Sequence, residues 1–150
     1  MGCVLQEDGL FSGSLAENVA RFESVEVHRL EEVLRRVGLW AVVQRGPMGV
    51  AARLGDLNTG LSSGELQRLM LARALYANPD YLFLDEGTAN LDPHSCEQIF
   101  AVIKQLSCTR VLVTHDLRFA ALADRVLMLQ EGRLVDSSAQ FKSAAAPSAG

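Results

Sequence analysis

Within residues 61–92 a small-residue turn, a helix and an apolar strand ending in two carboxylates follow one another without a break. The turn is Leu61-Ser62-Ser63-Gly64-Glu65. Ser62 and Glu65 have capping-box spacing and predict a helix that runs to about Tyr76. Asn78-Pro79-Asp80 ends that helix and turns the chain. Tyr81-Leu82-Phe83-Leu84 then reads as a buried-type strand with Asp85-Glu86 at its carboxyl end. Asp92-Pro93 opens the next helix, with Pro at its first position. Strands alternating with helices point to an α/β class with a parallel sheet.

The flanks fit that class. Cys3-Val4-Leu5 reads as a short buried strand, so the chain is expected to begin in mid-fold. Ser14-Leu15-Ala16-Glu17 has capping-box form and starts a short helix toward Arg21. A second helix is predicted over 25–37, with Val27, Leu30, Leu34 and Val37 on its buried face. Glu31–Arg35 and Glu32–Arg36 lie four apart on the other face, and Gly38 is its stop. Residues 46–60, rich in turn formers, read as a connecting loop. Cys96, Ile99, Phe100, Ile103 and Leu106 continue the helix after Pro93. Val111-Leu112-Val113-Thr114 is a further buried-type strand, leading to His115-Asp116. A helix over Leu117–Leu122 and a strand, turn and strand over 126–135 follow. From Ser137 on, Ala, Ser, Pro and Gly dominate and an irregular, disordered tail is expected.

Bulk properties exclude several classes. At 150 residues the chain is long enough for one core and too short for two ordinary domains. Its net charge of −4 and lack of a basic run argue against nucleic acid as a partner. No apolar stretch reaches the roughly 18 residues of a membrane span, and no secretory signal pattern opens the chain. Cys3, Cys96 and Cys108 match no metal-ligand spacing and read as reduced thiols of a cytosolic protein.

Four places carry candidate chemistry, each with an ordinary alternative. Asp85 and Glu86 end a strand of a parallel sheet, where ligands gather. Successive strand residues face opposite ways, so one carboxylate suits a hydrated Mg²⁺ and the other an attacking water. The alternative is a solvated turn. The Ser62–Glu65 turn offers helix N–H groups, a hydroxyl and a glycine to phosphate oxygens; the alternative is a plain helix cap. His115, at another strand end, suits a γ-phosphate hydrogen bond or a satisfied structural role. Gln6 closes the first strand, as a contact to a metal-bound water or as a polar cap.

The joint order of Gln6, Ser62–Glu65, Asp85-Glu86, Ala89-Asn90-Leu91-Asp92 and His115 resembles the second half of an ABC-family ATPase domain. The resemblance runs from Val4-Leu5-Gln6 to the strands at 126–135. It implies a partial P-loop NTPase fold over 1–136, with a helical subdomain at about 12–76 carrying the signature turn, catalytic-core remainder at about 77–136, and a tail at 137–150. It implies ATP and Mg²⁺ as ligands, a second ATPase domain packed head to tail, a transmembrane domain as partner, and a place at the cytoplasmic face of a bacterial inner membrane. By the resemblance Gln6 would be the Q-loop residue touching Mg²⁺ and water. Ser62, Ser63, Gly64 and Glu65 would form the LSGGQ-type signature facing the partner's γ-phosphate. Asp85 would be the Walker B metal ligand, Glu86 the general base, Asp92 the D-loop acid at the dimer seam, and His115 the H-loop switch. The segments at 5–11 and 85–92 are similar to those of peptidase-containing bacteriocin and RTX-toxin exporters.

The chain departs from the family pattern in four places. Ser63 replaces the first signature glycine and Glu65 the usual glutamine. Asp116 after His115 is commoner in importer-like members. No G-x-x-x-x-G-K-[ST] loop occurs, and the lysines are Lys104 and Lys142 alone; that loop is expected upstream of Gln6. Since it supplies most of the triphosphate grip, these residues are expected to be inactive by themselves, and the sheet to lack a strand, an aggregation hazard. The resemblance thus implies the carboxyl-terminal part of an exporter's ATP-hydrolysing domain, moving a peptide or protein. The alternatives are a non-catalytic module lending its signature turn to an intact ATPase, or an importer-type or non-transport member.

Overall fold

The computed structural model describes residues 1–5, 8–54, 60–85 and 91–144, with backbone alone for 142–144. In chain order they form β1 (Gly2–Val4), β2 (Gly13–Ser14), α1 (Leu15–Val19), α2 (Val27–Arg36), α3 (Trp40–Arg45), a 3-10 turn (Gly49–Ala51), β3 (Arg53–Leu54) and α4 (Ser63–Tyr76). Then come β4 (Tyr81–Asp85), α5 (Pro93–Lys104), β5 (Thr109–Val113), α6 (Leu117–Leu122), β6 (Leu127–Gln130), β7 (Arg133–Asp136) and α7 (Ser138–Ala144). The chain divides into two units, Met1–Val113 and Thr114–Gly150.

In the first unit β4 lies between β1 and β5 and runs parallel to both. Gly2 and Val4 align with Leu82 and Leu84, and this face is buried, with Leu82 at 0% and Leu84 at 5% exposure. Helix α4 packs against β1 there. A Cβ on Gly2 would fall 2.8 Å from the Ala74 carbonyl oxygen, so only glycine lets the helix approach this closely. The opposite face carries Cys3, Phe83 and Val111 in one rung, all exposed, with Tyr81 and Val113 beside them. The expectation of strands buried on both sides therefore fails for this face. An apolar run lacks the polar alternation that would have marked it as bare.

Helix α4 is buried on nearly every side because α1, α2, α5 and β1 all pack on it. Leu69, Met70, Leu71 and Ala72, four in succession, are each at most 2% exposed. Each large side chain so buried contributes about 2 kcal/mol. Tyr76, at its last turn, accepts the Glu26 N–H at 2.9 Å and ties α4 to the start of α2.

Helix α2 starts two residues later than expected. Val27 sits in its first turn and is 73% exposed, while Leu30, Val33 and Leu34 make the buried stripe. Glu31 and Arg35 pair at 2.6 Å, and Gly38 ends the helix in the left-handed region at φ 73°. Helix α1 stops at Val19, short of Arg21, because Arg21 and Phe22 take φ of 57° and 61°. The expected loop at 46–60 contains a 3-10 turn and β3, which pairs antiparallel with β2.

In the second unit β6 and β7 form an antiparallel hairpin turning at Glu131 and Gly132, with φ of 48° and 76°. The stretch from Ser137, expected as irregular, is helical at Ser138–Ala144. Asp136 accepts from the Ser138 N–H at 3.0 Å and hydroxyl at 2.6 Å, which starts α7 as a side-chain cap does.

Candidate functional site

The start of α4 is built by a complete capping box. Ser62 Oγ accepts the Glu65 N–H at 3.3 Å. Glu65 Oε2 accepts the Ser62 N–H at 2.8 Å and its hydroxyl at 2.9 Å. Ser63 and Gly64 supply the first-turn amides that the box does not use. Ser62 and Ser63 are exposed and Glu65 is half-buried. Glu65 thus faces its own helix start.

Gly64 is buried against the start of α5. A Cβ there would meet Ser95 Oγ and would lie 2.6 Å from Ser95 Cβ and 3.8 Å from Asp92 Oδ2. Asp92 caps α5, its Oδ1 accepting the Ser95 N–H at 3.0 Å. The Ser95 hydroxyl and amide together hold the Asp92 carboxyl below the usual carboxylate range. Gly64, Asp92 and Ser95 are thus brought together. Sequence reading missed Ser95, because its neighbour Gly64 is remote along the chain.

Asp85 is the last residue of β4, opposite Val113 of β5, and is half-buried. Its place at the carboxyl end of the central strand is where parallel sheets gather ligands. Glu86 and Gln6 lie outside the described residues, as do Ala89 and Asn90. Beside Gln6, the Leu5 N–H donates to Asp8 Oδ2 at 2.9 Å.

His115 belongs to the second unit and is exposed. Asp116 after it caps α6, accepting from the Arg118 N–H at 2.9 Å and pairing with the Arg118 guanidinium at 2.6 Å. That guanidinium holds the Asp116 carboxyl below its ordinary range. Asp116 therefore has a local structural task whatever His115 does.

A second feature escaped the sequence. Asn18, 1% exposed, bonds both the N–H and the carbonyl of Phe11 at 2.9 Å. Arg73 of α4 donates to Asn18 and to the Gly9 carbonyl, with its guanidinium 5.2 Å from the Phe11 ring centre. Phe11 meets Phe22 edge to face at 5.9 Å, and both rings stay more than half exposed. They line a cleft of about 570 Å³ together with Cys3, Leu5 and Arg73. Among the described residues no helix is long and apolar enough to cross a membrane.

Comparison with known proteins agrees with this layout. The family model described as ABC transporter matches residues 1–89. The chain is 38% identical over 130 residues to a probable microcin-H47 secretion/processing ATP-binding protein of Escherichia coli, covering 86% of this chain and 19% of that protein. It is 40% identical over 149 residues to a phosphate import ATP-binding protein of Mycobacterium intracellulare, covering 91% of this chain and 49% of that one. A bacterial Atm1-family ABC exporter solved with ATP bound superposes with a TM-score of 0.82 at 26% identity, over 97% of this chain and 26% of that chain. The chain thus spans half or less of each of these three proteins. With its parallel sheet, its helices and this match over more than half its length, the chain has the α/β fold of an ABC ATPase and belongs to the ABC transporter family.

Proposed function

We propose that these residues are the carboxyl-terminal part of the ATP-binding component of an ABC exporter, working at the cytoplasmic face of a bacterial inner membrane and driving export of a peptide or protein. The observation that carries the reading is Asp85 at the carboxyl end of the central parallel strand, in a chain whose α4 opens with a capped glycine-bearing turn. The E. coli relative named for secretion and the exporter structure support the direction of transport.

The residues fit a magnesium-bound triphosphate. Asp85 is one carboxylate, enough for a cation that keeps most of its waters, and Gln6 would join it through its amide. Mg²⁺ held there would supply positive charge against the charge developing on the γ-phosphoryl group of ATP. Glu86 would hold and deprotonate the attacking water. His115 would donate a hydrogen bond to a γ-phosphate oxygen. Ser62, Ser63 and Gly64 would offer hydroxyl and amide donors to the triphosphate held by a second ATPase domain, with Asp92 near the seam. Glu65 fits least well, since its carboxylate already uses the Ser62 N–H. The remaining grip would come from a P-loop outside these 150 residues.

A transmembrane partner would meet the exposed Phe11 and Phe22 rings. Asn18 and Arg73 hold Phe11, which meets Phe22 edge to face, and both rings face solvent, which supports this placement. The test is ATPase turnover with the P-loop half supplied: activity should require both parts and be lost in Glu86→Gln. Turnover by the 150 residues alone, abolished by Glu86→Gln, would overturn the division of labour. An importer-type reading is favoured by the phosphate-import relative and Thr114-His115-Asp116. A donor-module reading is favoured by the complete capping box at Ser62–Glu65; stimulation of an intact partner's ATPase by a Glu86→Gln chain would select it.

A further inference from the structure

Two helix starts, far apart in sequence, meet at Gly64 and Ser95. Gly64 has φ outside the left-handed region, so conformational freedom does not explain the glycine. Space does. The Ser95 side chain stands where a Cβ on Gly64 would be, with its own Cβ only 2.6 Å from that position. Ser95 is 8% exposed and is held from beneath by Asp92, whose Oδ1 accepts its N–H at 3.0 Å. Asp92 Oδ2 lies 3.8 Å from the same Cβ position, so cap and serine together form the floor under α4's first turn.

We propose that Ser95, held by Asp92, is a positioning residue that fixes where the Ser62–Glu65 turn stands relative to the start of α5, the helix that follows the Asp85 strand. The proposal rests on the reading of that turn as a polyphosphate contact and adds the element that sets its position. Ser95 touches no phosphate; it acts through the Gly64 backbone. Close-packed contacts of this kind shift as units rather than yielding gradually. A movement of Asp92 and α5 therefore reaches the turn directly, while the α4 interior stays fixed by Leu69, Leu71 and Ala72 in the core.

Size exchange provides the test. Gly64→Ala drives a methyl group into Ser95. Ser95→Ala removes the hydroxyl but keeps the Cβ, and Ser95→Gly clears the slot. Amide hydrogen exchange and ¹H–¹⁵N spectra are recorded on the 150-residue chain without nucleotide. Ser95→Ala should speed exchange of the Glu65 and Leu66 amides about tenfold, the ~1.4 kcal/mol equivalent of a local opening. It should also move the Ser63 and Gly64 cross-peaks, while Leu71 and Ala72 exchange changes less. Gly64→Ala should disturb the same amides more, and adding Ser95→Gly should restore them beyond the sum of the two single effects. Unmoved Ser63 and Gly64 cross-peaks in Ser95→Ala would overturn the proposal, as would disturbance spread evenly along α4. Should Gly64→Ala fail to fold, recovery of folding by Ser95→Gly supports it and persistent failure counts against it. Because no nucleotide is present, this result stands apart from whether the turn meets a phosphate.

Discussion

Arg73 Nη2 donates to Asn18 Oδ1 at 2.9 Å, and through this bond the last turn of α4 holds the loop that presents Phe11. Asn18 accepts from Arg73 and the Phe11 N–H, and its amide donates to the carbonyls of Phe11 and Ser14. Burial of Arg73 lowers its pKa, but a guanidinium stays charged at any ordinary pH. Asn18→Ala strands several part-buried groups at once and should cost about 2 kcal/mol or more in urea unfolding. A loss below about 0.5 kcal/mol would mean that the loop holds without it.

The capping box on α4 gives a smaller effect. Ser62→Ala removes the Oγ acceptor for the Glu65 N–H and should cost about 1 kcal/mol. Glu65→Gln keeps an oxygen for the Ser62 N–H and removes a negative charge from the helix start. In an assembled ATPase it should lower the apparent KM for ATP while stability stays within about 0.5 kcal/mol. An increase in KM would show that the carboxylate helps rather than opposes the triphosphate.

Legibility in sequence followed the range of the forces involved. The boxes at Ser14–Glu17 and Ser62–Glu65 and the Asp92 cap act within three residues, and all three helix starts are where the sequence puts them. The bare face through Cys3, Phe83 and Val111 was not legible, since an apolar run looks the same with or without a covering layer. The Gly64–Ser95 and Asn18–Arg73 contacts join distant segments and leave no local pattern. Asp116 reads differently once its bond to Arg118 is seen, because a helix cap accounts for it without reference to subfamily. Gln6 and Glu86 rest on the motif alone, as neither is among the described residues.

Acid sensitivity follows from four carboxylates held below their usual range, Asp136 among them through the Ser138 side chain and Arg125. Glu17 is lowered by the Ser14 backbone N–H, Asp92 by the Ser95 side chain and Asp116 by Arg118. Each contributes stability that is complete above the unfolded pKa, about 4, and is lost as pH falls from there through the folded value. The melting temperature should fall below about pH 4, and Asp92→Asn should make that fall shallower. An unchanged acid slope in Asp92→Asn would remove Asp92 from the account.

Phe11 separates partner contact from folding. At 61% exposure, Phe11→Asp should alter stability by less than about 1 kcal/mol. It should abolish association with the transmembrane partner in a pull-down from detergent-solubilised membranes. Retained association would move the docking surface elsewhere.

Asp85 and Glu86 are proposed to act on a magnesium triphosphate gripped by a P-loop that these residues do not contain. The most direct measurement is ATP turnover by this chain combined with the P-loop half of an ABC ATPase domain, compared with the same assembly carrying Glu86→Gln. Glu86→Gln should reduce turnover about 10²-fold or more, with MgATP binding retained. Equal turnover in the two assemblies would contradict it.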